Sequence, residues 1–332
     1  MWGSEAMNFC KGWAGKVLGV TLAFGAFDTA SAQSNFPSRP ITMIVPLQAG
    51  TASDLVARII AQDFGERTGK TMLIENVIGG GGGIGAARVA RATPDGYTIG
   101  AFNSGIHTIL PFTAMKMGFE PFEDLIPVTV MARFPSVLIV NNDLPVKNVA
   151  ELVALAKKDP GKLNYASVGV GSPQHVAMEQ LKSDAGIDMT HVPYRGGAAA
   201  TQAIATGEVN VFWIAVSVAL PFIQAKTVRA IAVGDDKRIK VLPDVPTVAE
   251  TIKGYDYMPI FALFAPKGTP PDVVTYLHKE ITTSLKKPEV IARLEAAGLE
   301  AHTSSGAELN SALEKEAKRL GPIVKKLGIG QF

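Results

Sequence analysis

Ser172 and His175 stand three residues apart in the run LNYASVGVGSPQHVAMEQLKSDAGIDMTHVPYRGG, which spans Leu163 to Gly197. A serine near a histidine could do nucleophilic chemistry if the imidazole takes the hydroxyl proton and an acid orients the imidazole. Both residues here would share the first turn of one helix, with no acid partner evident. Gly171-Ser172-Pro173 also lacks the second glycine of a G-x-S-x-G elbow. The same run offers a second chemistry, anion binding. Gly169 and Gly171 break a short extended run that ends at Ser167, and Pro173 falls at a first helical position, where its missing N–H costs nothing. Ser167, Gly169, Val170, Gly171, Ser172 and Pro173 thus form a loop at a helix N-terminus, where free amides and the helix dipole favour a negative group. His175 would line that turn. Arg195, in Tyr194-Arg195-Gly196-Gly197, is either an ion-pair partner for an anionic ligand or a surface arginine.

A second loop has the same build. Ile41–Val45 (ITMIV) reads as a strand buried on both faces, and Pro46 ends it. Leu47, Gln48, Ala49, Gly50, Thr51, Ala52 and Ser53 follow, then a helix with Leu55, Val56, Ile59, Ile60 and Phe64 at helical spacing. Thr51 or Ser53 can cap that helix, and Asp54 suits its first turn. Two such units suggest two anion-binding helix ends facing each other. Asn103 and Ser104 end the strand Tyr97–Phe102, where they either reach a ligand or make the turn.

Other chemistries find little support. Gly80, Gly82 and Gly85 fit G-x-G-x-x-G, but a run of five glycines satisfies almost any such pattern. The dinucleotide fingerprint also needs an acidic residue about 20 positions on, and Asp95 lies too early, in the turn Pro94-Asp95-Gly96. A flexible backbone wrap over a neighbouring element is the better use of these glycines, and no cofactor is expected. His107, His175, His191, His278 and His302 never approach H-x-x-x-H spacing, so no metal site is expected.

The elements that position these loops alternate strand and helix. Lys11 and Lys16, the apolar run Val17–Phe27 and Ala30-Ser31-Ala32 make 1–32 a secretory signal peptide cut before Gln33. The only cysteine, Cys10, leaves with it, so the mature chain has no disulfide framework. A net charge of +2 argues against nucleic acid as a partner. Ser136–Val140 and Val228–Val233 read as further buried strands, Asn148 with Glu151 as a helix start, and Ile260–Ala265 as a strand returning across the fold. Pro271–Lys286, a short helix ending at Gly298 and Ala307–Lys326 close the chain. The alternation predicts an α/β fold of mainly parallel sheets flanked by helices.

The motifs FPSRPITMIVP, ASDLVARIIA, GGGGIGAARVARATPDGYTI, NYASVGVGSPQHVAMEQLK, HVPYRGGAAATQAIATGEVNVFW, LPDVPTVAE and FALFAPKGTP occur in that order. In this the chain resembles the extracytoplasmic solute-binding proteins of tripartite tricarboxylate transporters, the Bug receptor family. The resemblance implies a periplasmic, monomeric Venus flytrap that is not an enzyme. One lobe would be 33–138 plus 260–332 and the other 139–259, with two crossing strands and hinges near Ser136–Val140 and Ile260–Ala265. It implies a small carboxylate gripped between Leu47–Ser53 and Ser167–Pro173, and a permease partner with one large and one small membrane subunit. Two departures stand out. Gly50-Thr51 replaces a paired glycine, and Val209-Asn210-Val211-Phe212-Trp213-Ile214 lacks the aspartate often found after phenylalanine. Trp213 and Ile214 point to a flatter carboxylate, an aromatic one such as terephthalate, or else simply to core packing at a strand end. Two alternatives stay open: a secreted α/β hydrolase using Ser172 and His175, and a sensor presenting its ligand to a membrane histidine kinase.

Overall fold

Short runs of aliphatic residues, buried at nearly every position, build the centres of two sheets. A computed structural model describes residues 36–113, 116–257 and 259–328; the signal peptide expected at 1–32 lies outside them. The chain first lays down β1 (Ile41–Val45), α1 (Ala52–Thr68), β2 (Met72–Asn76), α2 (Gly83–Ala90), β3 (Thr98–Asn103), α3 (Gly105–Thr108), α4 (Pro121–Asp124) and β4 (Leu125–Arg133). It crosses to β5 (Ser136–Asn141), α5 (Val149–Lys158), β6 (Asn164–Ser167), α6 (Pro173–Ala185), β7 (Thr190–Pro193) and α7 (Gly197–Thr206). Then come β8 (Val211–Ala215), α8 (Val216–Gln224) and β9 (Val228–Val233). The return consists of β10 (Ile260–Pro266), α9 (Pro271–Ser284), α10 (Pro288–Ala296), β11 (Glu300–Ala301) and α11 (Gly306–Lys326).

The first sheet has the order β11-β4-β10-β3-β1-β2 and the second β7-β6-β8-β5-β9. Both are mixed, which corrects the expectation of mainly parallel sheets. β1 runs parallel to β2 and β3, and β6 runs parallel to β7 and β8. The remaining pairs, built on β4, β10, β11, β5 and β9, are antiparallel. The reason lies in the connections: a strand that returns through a helix on the sheet's face is held parallel, whereas β5 and β10 arrive from the other sheet and are free of that constraint. β4 follows α4 directly, beginning at Leu125. Its Pro127 pairs with Phe264 next to a register shift, where a missing N–H is tolerated.

Local signals set the helix ends. The Thr51 hydroxyl accepts from Asp54 N–H at 3.4 Å and Asn148 Oδ1 from Glu151 N–H at 2.9 Å, each such cap being worth ~1 kcal/mol. α1 ends at Gly69 with φ 67°, a left-handed stop. The first sheet carries cores on both faces, one with Ile60, Phe64, Leu277 and Leu294, the other with Phe102, Phe264, Leu309 and Leu313. The second sheet is likewise packed on both faces. α11 belongs to both: Leu309 and Leu313 pack into the first sheet's core, Leu320 and Val324 into the second's. The chain passes between sheets at Phe134-Pro135 and again through 234–259, and Phe134 N–H donates to Pro259 O at 3.0 Å, tying the two passages together. Ser136–Val140, read as a crossing strand, therefore lies wholly in the second sheet, just after the crossing.

Candidate functional site

Open α/β sheets bind ligands beyond the carboxyl ends of their strands, where helix N-termini converge. A cleft of about 210 Å³ opens at such a place, where the two sheets meet. The first sheet contributes Ser53 from the start of α1, Asn103 and Ser104 from the end of β3, and Thr108 with Ile109 from α3 and its exit. The second contributes Pro173 and Gln174 from the start of α6, and Trp213 and Ile214 from β8. The crossings add Phe134, Tyr257 and Pro259, and α11 adds Glu316.

Several of these side chains are held by one another. Ser136 Oγ accepts from the indole N–H of Trp213 at 2.9 Å, and the Tyr257 hydroxyl donates to Pro173 O at 2.6 Å. Others are not. Thr108 is 0% exposed, yet its Oγ1 has no hydrogen-bond partner among the described residues; neither does the buried Oε1 of Gln174. Buried polar atoms are seldom left unpaired, so two of them bordering one cleft mark a place built for an incoming polar group. The walls around them are apolar: Trp213, Ile214, Phe134 and Ile109. Among the described residues, Glu316 is the one charged side chain in the lining. Burial pushes its carboxyl up to about 7, with Asp256 pushing the same way, while Arg319 and the Ser104 hydroxyl pull it back down.

Of the residues singled out in the sequence, Ser53, Asn103, Ser104, Pro173, Trp213 and Ile214 come together here. The ends of α1 and α6 meet the same cleft, but most of their loops do not line it, because their polar groups are used to fold the loops. In the first loop Gly50 N–H donates to Asp54 Oδ2 at 2.8 Å, and the Thr51 hydroxyl donates to Gln48 O at 2.8 Å. Leu47 O accepts from Asn76 Nδ2 at 2.9 Å, and Ala49 is exposed at the tip of the turn. Asp54 organises this turn. Burial raises its carboxyl, but hydrogen bonds from Arg58, Gly50 N–H and Asn76 hold it below the usual carboxylate range.

The second loop is equally self-satisfied. Ser167 Oγ accepts from Gly169 N–H at 3.0 Å and meets His191 Nε2 at 2.6 Å. Ser172 Oγ accepts from His175 N–H at 3.3 Å, and Gly171 N–H donates to His175 Nδ1 at 3.0 Å. His175 stacks on His191 with ring centroids 3.9 Å apart, and burial, followed by His191, lowers its pKa to about 4. Its Nδ1 is thus occupied by Gly171, and Ser172 serves as the cap of α6, so the two do not form a nucleophile and base. Val170 is 56% exposed and Arg195 is exposed, and neither lines the cleft.

Trp213 is packed in the core and also borders the cleft. It is 1% exposed within the second sheet's core, beside Tyr255 and Tyr257, and one side of it still faces the cleft. The glycine run wraps over neighbouring elements, and tightly at two positions: a Cβ on Gly85 would stand 2.8 Å from Pro46 Cβ, and one on Gly82 would stand 2.9 Å from Ile106 Cδ1. Sequence reasoning missed Thr108, Phe134, Ser136, Gln174, Tyr257 and Glu316. Gln174 could have been found, since it follows Pro173 in the first turn of α6; the others carry no local signal.

The model of the tripartite tricarboxylate transporter family receptor, TctC, matches residues 56–329. A UPF0065 protein of Bordetella pertussis is 34% identical over 311 residues, 93% of this chain and 96% of that protein. Among solved structures, R. palustris Rpa4515 with adipate superposes with a TM-score of 0.72 at 34% identity, covering 89% of this chain and 99% of that one. MatC from Rhodopseudomonas palustris with bound malate superposes at 0.69 and 30% identity, covering 87% and 100%. With two α/β sheets, a cleft between them and a family match over most of its length, the chain belongs to the tripartite tricarboxylate transporter receptor family.

Proposed function

We propose that the protein is a periplasmic receptor, freed of residues 1–32 on export, which captures a small carboxylate between its two sheets and passes it to a tripartite-type permease. The observation that carries this reading is the cleft itself. The starts of α1 and α6 reach it from opposite sides, together with the unpartnered Thr108 Oγ1 and Gln174 Oε1. Helix N-termini attract anions through their free amides and dipole. The Thr108 hydroxyl can donate to a carboxylate oxygen, and so can the Gln174 amide group once its side chain turns. Around that polar patch the Trp213, Ile214 and Phe134 walls suit an apolar ligand body, and an aromatic dicarboxylate such as terephthalate fits that description. Two relatives of similar fold hold dicarboxylates, adipate and malate, which supports the ligand class.

Capture would proceed by one half closing on the other about the crossings at Phe134-Pro135 and 234–259, and the permease would recognise the loaded form over the empty one. A thermal-shift screen of residues 33–332 against acetate, malate, adipate, benzoate and terephthalate tests the reading. A ligand at about 100 times its dissociation constant adds about 2.7 kcal/mol of stability by mass action. No shift with any of these, or one with neutral amides of the same shape, would contradict it.

A further inference from the structure

Glu316 borders the cleft as the one charged side chain among its described lining residues, and it comes from neither sheet. It lies on α11 between the stretches packed into different cores, Leu309 and Leu313 on one side and Leu320 and Val324 on the other. The helix starts that open on the same cleft favour a negative ligand group. A carboxylate entering beside an ionised Glu316 would place two negative charges in a largely apolar space, and among the described residues its lining holds no lysine, arginine or histidine. Two like charges sharing such a site cannot both stay ionised, and one of them keeps a proton. A protonated carboxyl is a donor as well as an acceptor.

We infer that capture is proton-linked: Glu316 binds one proton as a carboxylate enters the cleft and donates it in a hydrogen bond to a ligand oxygen. This rests on the reading of the cleft as a carboxylate site and deepens it. The proton comes from solvent, and no covalent bond to the ligand is made. The substrate class narrows to acids without a cationic group, since an ammonium would pair with the ionised glutamate and need no proton.

The surroundings of Glu316 carry both signs of charge. Lys315 and Arg319 flank it on α11, Arg133 of β4, Asp236 and Asp256 border the adjoining cavity that it also lines, and Tyr257 and Ser104 share the cleft. Arg319 is partly engaged elsewhere, since it donates to Asp256 O. His107, on the α3 turn packed against α11, is pushed by burial down to about 4 and is neutral at pH 7. In the free protein, burial outweighs Arg319 and leaves the Glu316 carboxyl titrating near neutral pH, at about 7. A ligand carboxylate alongside moves it higher still.

Titration calorimetry of residues 33–332 tests this with the tightest binder among malate, adipate, benzoate and terephthalate, at about pH 7.5 in PIPES, HEPES and Tris. The dependence of heat on buffer ionisation enthalpy should report uptake of between half and one proton per ligand. The dissociation constant should rise toward tenfold per pH unit above about pH 7 and flatten below about pH 6. Glu316→Gln, with its fold checked by circular dichroism, should abolish both the uptake and the slope and bind at pH 8 within about threefold of the wild type at pH 6. The wild-type uptake needs no variant, so a misfolded Glu316→Gln leaves the inference open to refutation by that measurement. Binding with no proton uptake, or uptake that persists in Glu316→Gln, overturns this inference alone. Failure of every acid to bind overturns the carboxylate reading along with it.

Discussion

Thr108 shows how little of a binding site is written in a residue's own neighbourhood. In sequence it is one threonine after a histidine; in the fold it is fully buried, borders the cleft and has a hydroxyl with no partner among the described residues. An unsatisfied buried hydroxyl costs ~1–3 kcal/mol, and an apolar isostere removes that cost. Thr108→Val should therefore leave the thermal midpoint unchanged or raised, and weaken the tightest carboxylate about tenfold by calorimetry. An unchanged affinity would remove Thr108 from the site. Ser172 makes the opposite case. The sequence marks it as a site residue, and the structure employs it as the cap of α6. Ser172→Ala should cost ~1 kcal/mol in urea denaturation and leave affinity within about twofold. Ser53, Asn103, Ser104 and Pro173 were legible because strand ends and helix starts announce themselves through proline, glycine and small polar residues. Glu316 was not, since a glutamate on an amphipathic helix looks solvated until both halves of the molecule close over it.

At the scale of elements, the helix starts and several central strands were legible, and the direction of the strands was not. Thr51 and Asn148 cap where their local patterns put them, because capping depends on neighbours within a few residues. Strand direction depends on how the chain returns to a sheet, and that is settled by packing far along the sequence. The joints between elements hold two clusters with measurable consequences. Arg67 of α1 donates to Asp63 and to Glu280 of α9, and Lys287 before α10 meets Asp63 at 2.6 Å. Arg67→Ala should cost about 3 kcal/mol in denaturant titration, because Glu280 would be left buried without its partner. At the end of β9, Asp235 is 2% exposed, and burial, with Glu300 next, pushes its carboxyl up to about 7. Its folded pKa thus exceeds its unfolded value, so its contribution to stability is fully present below about pH 4 and is lost as pH rises through about 7. Asp235→Asn should match the wild type near pH 4 and exceed it by ~1 kcal/mol or more at pH 8. A constant difference across that range would show that Asp235 is ionised throughout.

For the whole molecule, the two crossings and α11 make three passages between the sheets, and any closure must turn about all of them. α11 sets the tightest constraint, because Leu309 and Leu313 anchor one end and Leu320 and Val324 the other. Small-angle scattering should record a smaller radius of gyration when the tightest carboxylate is added, and no change with its neutral amide. The most direct test is a crystal structure of residues 33–332 with that carboxylate. A carboxylate group placed between the start of α1 at Ser53 and the start of α6 at Gln174, with the ligand body against Trp213, is the predicted result. A ligand seated on the outer turn Gln48–Gly50, or anywhere outside the cleft between the sheets, would contradict it.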